Sequence, residues 1–158
     1  MKKQRVPKRI LGRLELVDFP KFQLWGVEAK VDTGAYTSSI HCSDIQVVTG
    51  PDRQPRLRVL LLDPSHPNFD GTVMEFPEFS LRNIKSSNGE MQERYVIQAA
   101  LRIFGEDFDT EFSLSDRSDM KYPVLLGRRL LRHGHFVVDV ARRNMSYRAQ
   151  VAAKASRS

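Results

Sequence analysis

Apolar positions along the chain recur mostly at every second residue, in short runs bounded by Gly, Pro, Asn and Asp, which is the pattern of half-buried strands. Residues 10–17 and 27–31 read as the first two strands, joined by a loop carrying Pro20. Two more follow at 37–41 and 45–48, then another at 56–62 after the break Thr49-Gly50-Pro51-Asp52. The segment from Asp63 to Gly71 holds two prolines and a glycine and reads as a loop. Residues 72–81 are extended but contain Pro77, which suits an edge strand. Asn88-Gly89 predicts a type I′ hairpin ahead of a strand at 94–104, because both central positions of that turn need positive φ. After a turn at Gly105-Glu106, Phe108, Thr110, Phe112 and Leu114 alternate onto one face. One short helix is predicted between Gly127 and Gly134, with a closing strand at 136–140. Many short strands and one short helix near the C-terminus predict an all-β fold, a small closed barrel.

Within that pattern, Asp32-Thr33-Gly34 stands where the alternating stretch Val27-Glu28-Ala29-Lys30-Val31 ends. A carboxylate at the end of a strand, followed by a turn, faces a cleft rather than the core. Thr33 adds a hydroxyl able to cap or cross-link such a loop. A plain Asp turn, bonded to its own backbone, is the alternative on these residues alone. Downstream, Tyr122-Pro123-Val124-Leu125-Leu126-Gly127-Arg128 is an apolar strand ending in glycine before the helix.

Asp-Thr-Gly-Ala followed later by an apolar-apolar-Gly-Arg segment resembles the retropepsin-like aspartic peptidases. The resemblance sharpens to a bacterial family described as ATP-dependent zinc proteases or RimK-associated retropepsin-like proteins. It is carried by Ala29-Lys30-Val31-Asp32-Thr33-Gly34-Ala35, Thr37-Ser38-Ser39-Ile40-His41 and Ser86-Ser87-Asn88-Gly89, then Asp116-Arg117-Ser118-Asp119-Met120 and Leu125-Leu126-Gly127-Arg128. These pieces span most of residues 10–142 in a consistent order.

The resemblance implies an acid-protease barrel with Asp32, Thr33 and Gly34 as the catalytic turn. It implies that Ala35, Ser87, Asn88 and Gly89 line the substrate, the last three from a flap, and that Leu126, Gly127 and Arg128 support the turn from behind. Retroviral enzymes carry an Asp directly after Asp-Thr-Gly-Ala that pairs with the Arg. Here that position is Tyr36, which leaves Arg128 without that partner. Aspartic peptidases hold two carboxylates sharing one proton, since neighbouring like charges cannot both ionise. This chain has one Asp-Thr-Gly, so a dyad requires a two-fold partner, and a homodimer acting on a peptide or protein is expected.

Composition narrows the rest. At 158 residues, with 41% hydrophobic and 28% charged side chains, the chain suits one globular domain, placed at 10–148 between a basic arm (1–9) and a disordered tail (149–158). No apolar run nears the roughly 18 residues of a membrane span, and no signal-peptide core follows the basic start, so a cytoplasmic protein is expected. The lone Cys42 excludes an internal disulfide and fits a reducing compartment. Net charge is +6, concentrated at both ends, where solvated tails compete with contacts to an acidic or ribosomal partner. No metal or cofactor is expected: His41 and Cys42 are adjacent and point oppositely on a strand. His133 and His135 share a face only if extended, and no His-Glu-x-x-His, Cys-x-x-Cys or P-loop is present. A binding module without catalysis and a zinc-dependent peptidase remain the alternatives to an aspartic peptidase.

Overall fold

In the computed structural model, residues 8–85, 88–116 and 121–156 are described. β1 (Arg9–Leu11) and β2 (Leu14–Phe19) are separate strands rather than one. The chain divides at Gly12 and Arg13, because β1 pairs in parallel with a late strand while β2 enters the main sheet. Pro20 opens a single 3-10 turn (Pro20–Phe22) leading into β3 (Leu24–Val31), whose Val27, Ala29 and Val31 point inward. The two strands expected at 37–41 and 45–48 are one, β4 (Ser38–Thr49), with an irregularity between Cys42 and Asp44. There the strand changes surroundings, from a buried first half to a half-exposed hairpin with β5 (Pro55–Leu61).

Pro77 splits the expected edge strand into β6 (Val73–Phe76), which pairs β5, and β7 (Ser80–Lys85), which pairs β8 (Met91–Ile103). A two-residue turn with positive φ at Phe104 and Gly105 then leads to β9 (Glu106–Ser115), one residue earlier than predicted. Phe108, Thr110, Phe112 and Leu114 are all buried, as their alternation predicts. β10 (Val124–Leu126), α1 (Arg128–His133) and β11 (Phe136–Val138) follow, the last being the parallel partner of β1.

β10 hydrogen-bonds to both β3 and β4, so the path β10–β3–β2–β8–β9–β4 returns on itself. That ring makes the expected closed all-β barrel. Its interior holds Phe19, Phe112, Ile97, Leu101, Leu114 and Leu126, all essentially inaccessible to solvent. Phe19 meets Phe112 edge-on at 5.4 Å, and cutting such a buried ring back to Ala costs about 3–5 kcal/mol.

The two ends depart from expectation. Residues 149–155, predicted as tail, belong to α2 (Met145–Ala155). Its start is held by the buried carboxylate of Glu15, whose Oε2 accepts from Met145 N–H at 3.1 Å and Oε1 from Ser146 N–H at 2.9 Å. Ser146 in turn accepts from Phe104 N–H at 2.7 Å. These bonds come from far along the chain, so small polar residues that look unstructured locally are given a helix start. At the other end, Arg9 is no free arm residue. It lies in β1, pairs with Glu106 at 2.9 Å and sits 5.0 Å from the Phe104 ring. Residues 1–7 lie outside the described residues.

Candidate active site

Asp32 follows β3 at the barrel rim, half-buried. Its N–H donates to Leu126 O at 2.9 Å, and its carbonyl accepts from Ala35 N–H at 3.3 Å. Gly34 N–H donates to the Asp32 Oδ1 at 2.9 Å. The carboxylate therefore does bond its own turn, and that bond sets its orientation. Among the described glycines positive φ falls at 26, 71, 89 and 105, so Gly34 serves through its N–H and not through a left-handed angle. Thr33 is exposed and Ala35 buried.

The support comes from β10 and α1. β10 lies between β3 and β4, pairing Leu126 with Val31 and Val124 with Ile40, and so fills the gap that the turn opens. Gly127 N–H donates to the Ser38 hydroxyl at 2.9 Å, Arg128 N–H to Ala35 O at 2.8 Å and Arg129 N–H to Tyr36 O at 3.0 Å. A Cβ at Gly127 would lie 2.8 Å from Thr37 C and Tyr36 O, so backbone approach excludes any side chain there. The Arg128 guanidinium donates to Thr33 O at 2.9 Å and lies 5.9 Å from the centre of the Tyr36 ring. Tyr36 thus gives Arg128 a contact where retroviral enzymes use a carboxylate, through the ring face in place of a charge.

The last pair of the β7–β8 hairpin is Lys85 with Met91, so Asn88-Gly89 is not the predicted tight two-residue turn. Asn88 Oδ1 accepts from Glu90 N–H at 3.1 Å, and Gly89 takes φ +90. Ser87, and Arg117 to Met120 of the resemblance, lie outside the described residues. At the base of this arm, Glu111 on β9 forms ion pairs with Arg82 of β7 at 2.9 Å and with Arg129 of α1 at 2.7 Å. Arg82 first, then Arg129, hold the Glu111 carboxyl below its usual range. The hairpin and the element behind Asp32 are thereby tied to one carboxylate. Beside α1, Lys8, Arg128, Leu131, Arg132, His135 and Phe136 line an open cleft of about 450 Å³, predominantly basic.

Spacing did not reveal a second polar group, His41 with Asp63 and His66, because strand and loop bring distant residues together. Asp63 falls to about 2, held by the Ser65 hydroxyl and N–H and then by His41. Cys42 lies apart from this group, and burial, then Asp116 and Asp44, pushes its thiol up to about 12. His133 packs against Phe108, and His135 lies in the basic cleft.

A closed barrel with an Asp-Thr-Gly turn braced by an apolar-Gly-Arg segment defines the retropepsin-like class. The chain belongs to the RimB-like family of retropepsin-like aspartic endopeptidases, whose family model matches residues 10–149. It is 36% identical over 128 residues to a Shewanella halifaxensis protein named probable alpha-L-glutamate ligase, covering 78% of this chain and 27% of that protein. A Desulfotalea psychrophila protein of the same name is 32% identical over 143 residues, covering 87% of this chain and 29% of that one. This chain thus spans less than a third of the length of the curated relatives it matches. A Legionella pneumophila crystal structure of unknown function shares the fold, with a TM-score of 0.65 at 23% identity over 87% of this chain and 97% of its own.

Proposed function

We propose that the protein is an aspartic endopeptidase in which two copies of Asp32, one from each subunit of a homodimer, activate water. The observation carrying this reading is the bracing of the Asp32 turn, whose main chain is bonded to β10 and whose Oδ1 is bonded to Gly34. Carboxylates facing one another across a two-fold axis share a proton, so one is basic and the other acidic. The basic carboxylate takes a proton from water as its oxygen attacks the peptide carbonyl carbon, and the acidic one protonates the carbonyl oxygen. Collapse of the tetrahedral intermediate breaks the C–N bond, and the amine leaves with a proton returned by the carboxylates. The exposed Thr33 is the residue to reach the partner's turn, and Asn88 and Gly89 are the tip of a flap that excludes water.

The relatives' name points to proteins bearing ligated glutamates as the substrates to assay first. The cationic cleft beside Arg128 supports an acidic chain there. The test is cleavage of glutamate-extended peptides by the wild-type protein and by Asp32→Asn, with sedimentation run on both. Wild-type cleavage lost in Asp32→Asn, by a protein that sediments as a dimer, is expected. A strict monomer that cleaves, or cleavage surviving the substitution, sinks the reading. Tight binding of the peptides without cleavage favours a binding module.

A further inference from the structure

His41, Asp63 and His66 make a cluster that the proposed peptidase chemistry does not use. His41 closes the buried half of β4, and Asp63 and His66 open the loop at residues 63–72. Nε2 of His41 lies 2.5 Å from Oδ2 of Asp63, and Nε2 of His66 lies 3.7 Å from the same oxygen. One donor atom from each residue lies within 4.8 Å of the other two. We propose that these three side chains bind a divalent transition-metal ion of the Zn²⁺ class, which pins the 63–72 loop to the barrel.

Donor chemistry sets the class, since two imidazoles and one carboxylate suit Zn²⁺, Co²⁺ or Fe²⁺ better than the all-oxygen preference of Ca²⁺ or Mg²⁺. Donors about 2.0–2.1 Å from a tetrahedral ion stand about 3.4 Å apart. The His66–Asp63 separation is close to that. The shorter His41–Asp63 contact is a hydrogen bond whose proton the cation replaces, leaving both atoms as ligands.

The surroundings are arranged for the same task. His66 N–H donates to Asp63 O at 3.0 Å, a turn that brings the second imidazole back over the carboxylate. Ser65 holds Oδ1 of Asp63 through its hydroxyl and its N–H, the latter at 2.7 Å, so Oδ2 is the oxygen left toward the histidines. Oδ1 of Asp116 lies 3.8 Å from Nδ1 of His41. A carboxylate on that side favours the tautomer protonated at Nδ1, in which the Nε2 lone pair is the one turned to the ion, as is usual for metal-bound histidine. Ser115 pairs with His41 in register and shares its face of the strand pair. Its hydroxyl is buried without a hydrogen-bond partner among the described residues, and it can hold a water in the ion's fourth position. The His41 side chain is fully enclosed and those of Asp63 and His66 are 13% exposed, which suits a structural ion over a catalytic one.

The test is calorimetric titration of the untagged, chelator-stripped protein with Zn²⁺, and absorption spectroscopy with Co²⁺ as the coloured probe. One equivalent per chain is expected, with visible d–d bands, a higher unfolding temperature in Zn²⁺ and slower proteolysis within 63–72. His66→Ala alters the most tolerant position and should weaken Zn²⁺ binding by more than about 100-fold, and Asp116→Asn by about tenfold. His133→Ala should bind as wild type. Absence of binding at millimolar Zn²⁺, or a His66→Ala protein that binds and is stabilised like wild type, overturns the site.

Discussion

The Asp32 turn and the β7–β8 arm, the two regions that the proposed reaction calls on, are built in opposite ways. Around Asp32, at least five main-chain N–H groups find partners within the turn, β10, the Ser38 hydroxyl or the start of α1, and the inward-facing positions of β3, the first half of β4 and all of β10 are buried. β7 is exposed at nearly every position, and its loop takes a left-handed angle at Gly89. One region has little freedom to move and the other buries little that would stop it moving. A peptidase that must hold a carboxylate still and admit a long substrate needs both properties. Among the described residues, Glu111 links the two regions by charge, pairing with an arginine from each.

Four substitutions break or sharpen that contrast. The largest effect belongs to Asp32→Asn, which should reduce cleavage by about 10²–10⁴-fold or more while leaving the unfolding temperature within a few degrees, read by peptide turnover and circular dichroism. The amide keeps the size of the carboxylate but cannot take a proton from water. A variant that unfolds instead would show that the carboxylate holds the turn together.

Next comes Gly127→Ala, where the new Cβ meets the backbone of Tyr36 and Thr37 at 2.8 Å. Overpacking against immobile backbone should cost about 1–3 kcal/mol and lower turnover with it, measured by denaturant unfolding. A stable Gly127→Ala protein would mean that the brace yields more than its bonds suggest.

Gly89→Val should do the reverse, lowering turnover severalfold while changing stability by less than about 1 kcal/mol, because valine resists φ +90 in an exposed loop. Equal losses of turnover and stability would erase the distinction between brace and arm.

The smallest effect is the pH dependence of Glu111. Its folded carboxyl lies below the ordinary range, so the unfolded chain binds the proton more readily and stability rises with pH through that interval. Stabilisation is therefore full at neutral pH and declines as pH falls below the usual glutamate range toward the depressed folded value. Glu111→Gln should flatten that part of the stability curve and cost about 1 kcal/mol at neutral pH, partly screened by solvent. An unchanged acid limb would show that the two arginines do not couple the arm to α1.

What could be read along the chain was whatever depends on neighbours. Alternation located most strands and put Phe108, Thr110, Phe112 and Leu114 on the inner face. Pro77 marked an edge but not the split it makes between β6 and β7, and it was the family resemblance carried by Asp32-Thr33-Gly34 and Leu126-Gly127-Arg128 that implied their meeting. Three features were illegible for one shared reason. The merging of two predicted strands into β4 follows from its change of partners, and α2 depends on Glu15, about 130 positions away. His41, Asp63 and His66 carry no motif spacing and are joined only where β4 ends beside the following loop.

Periodicity and turn chemistry are local, so the sequence by itself determined the strand-rich class, the position of the carboxylate at a strand end and the existence of a hairpin ahead of β8. Closure of the barrel, the insertion of β10 between β3 and β4, and the ring of Tyr36 beneath Arg128 were decided by tertiary structure. Each needs a partner that no local window contains, and each forms only because burying the shared core brings distant polar groups within reach of one another.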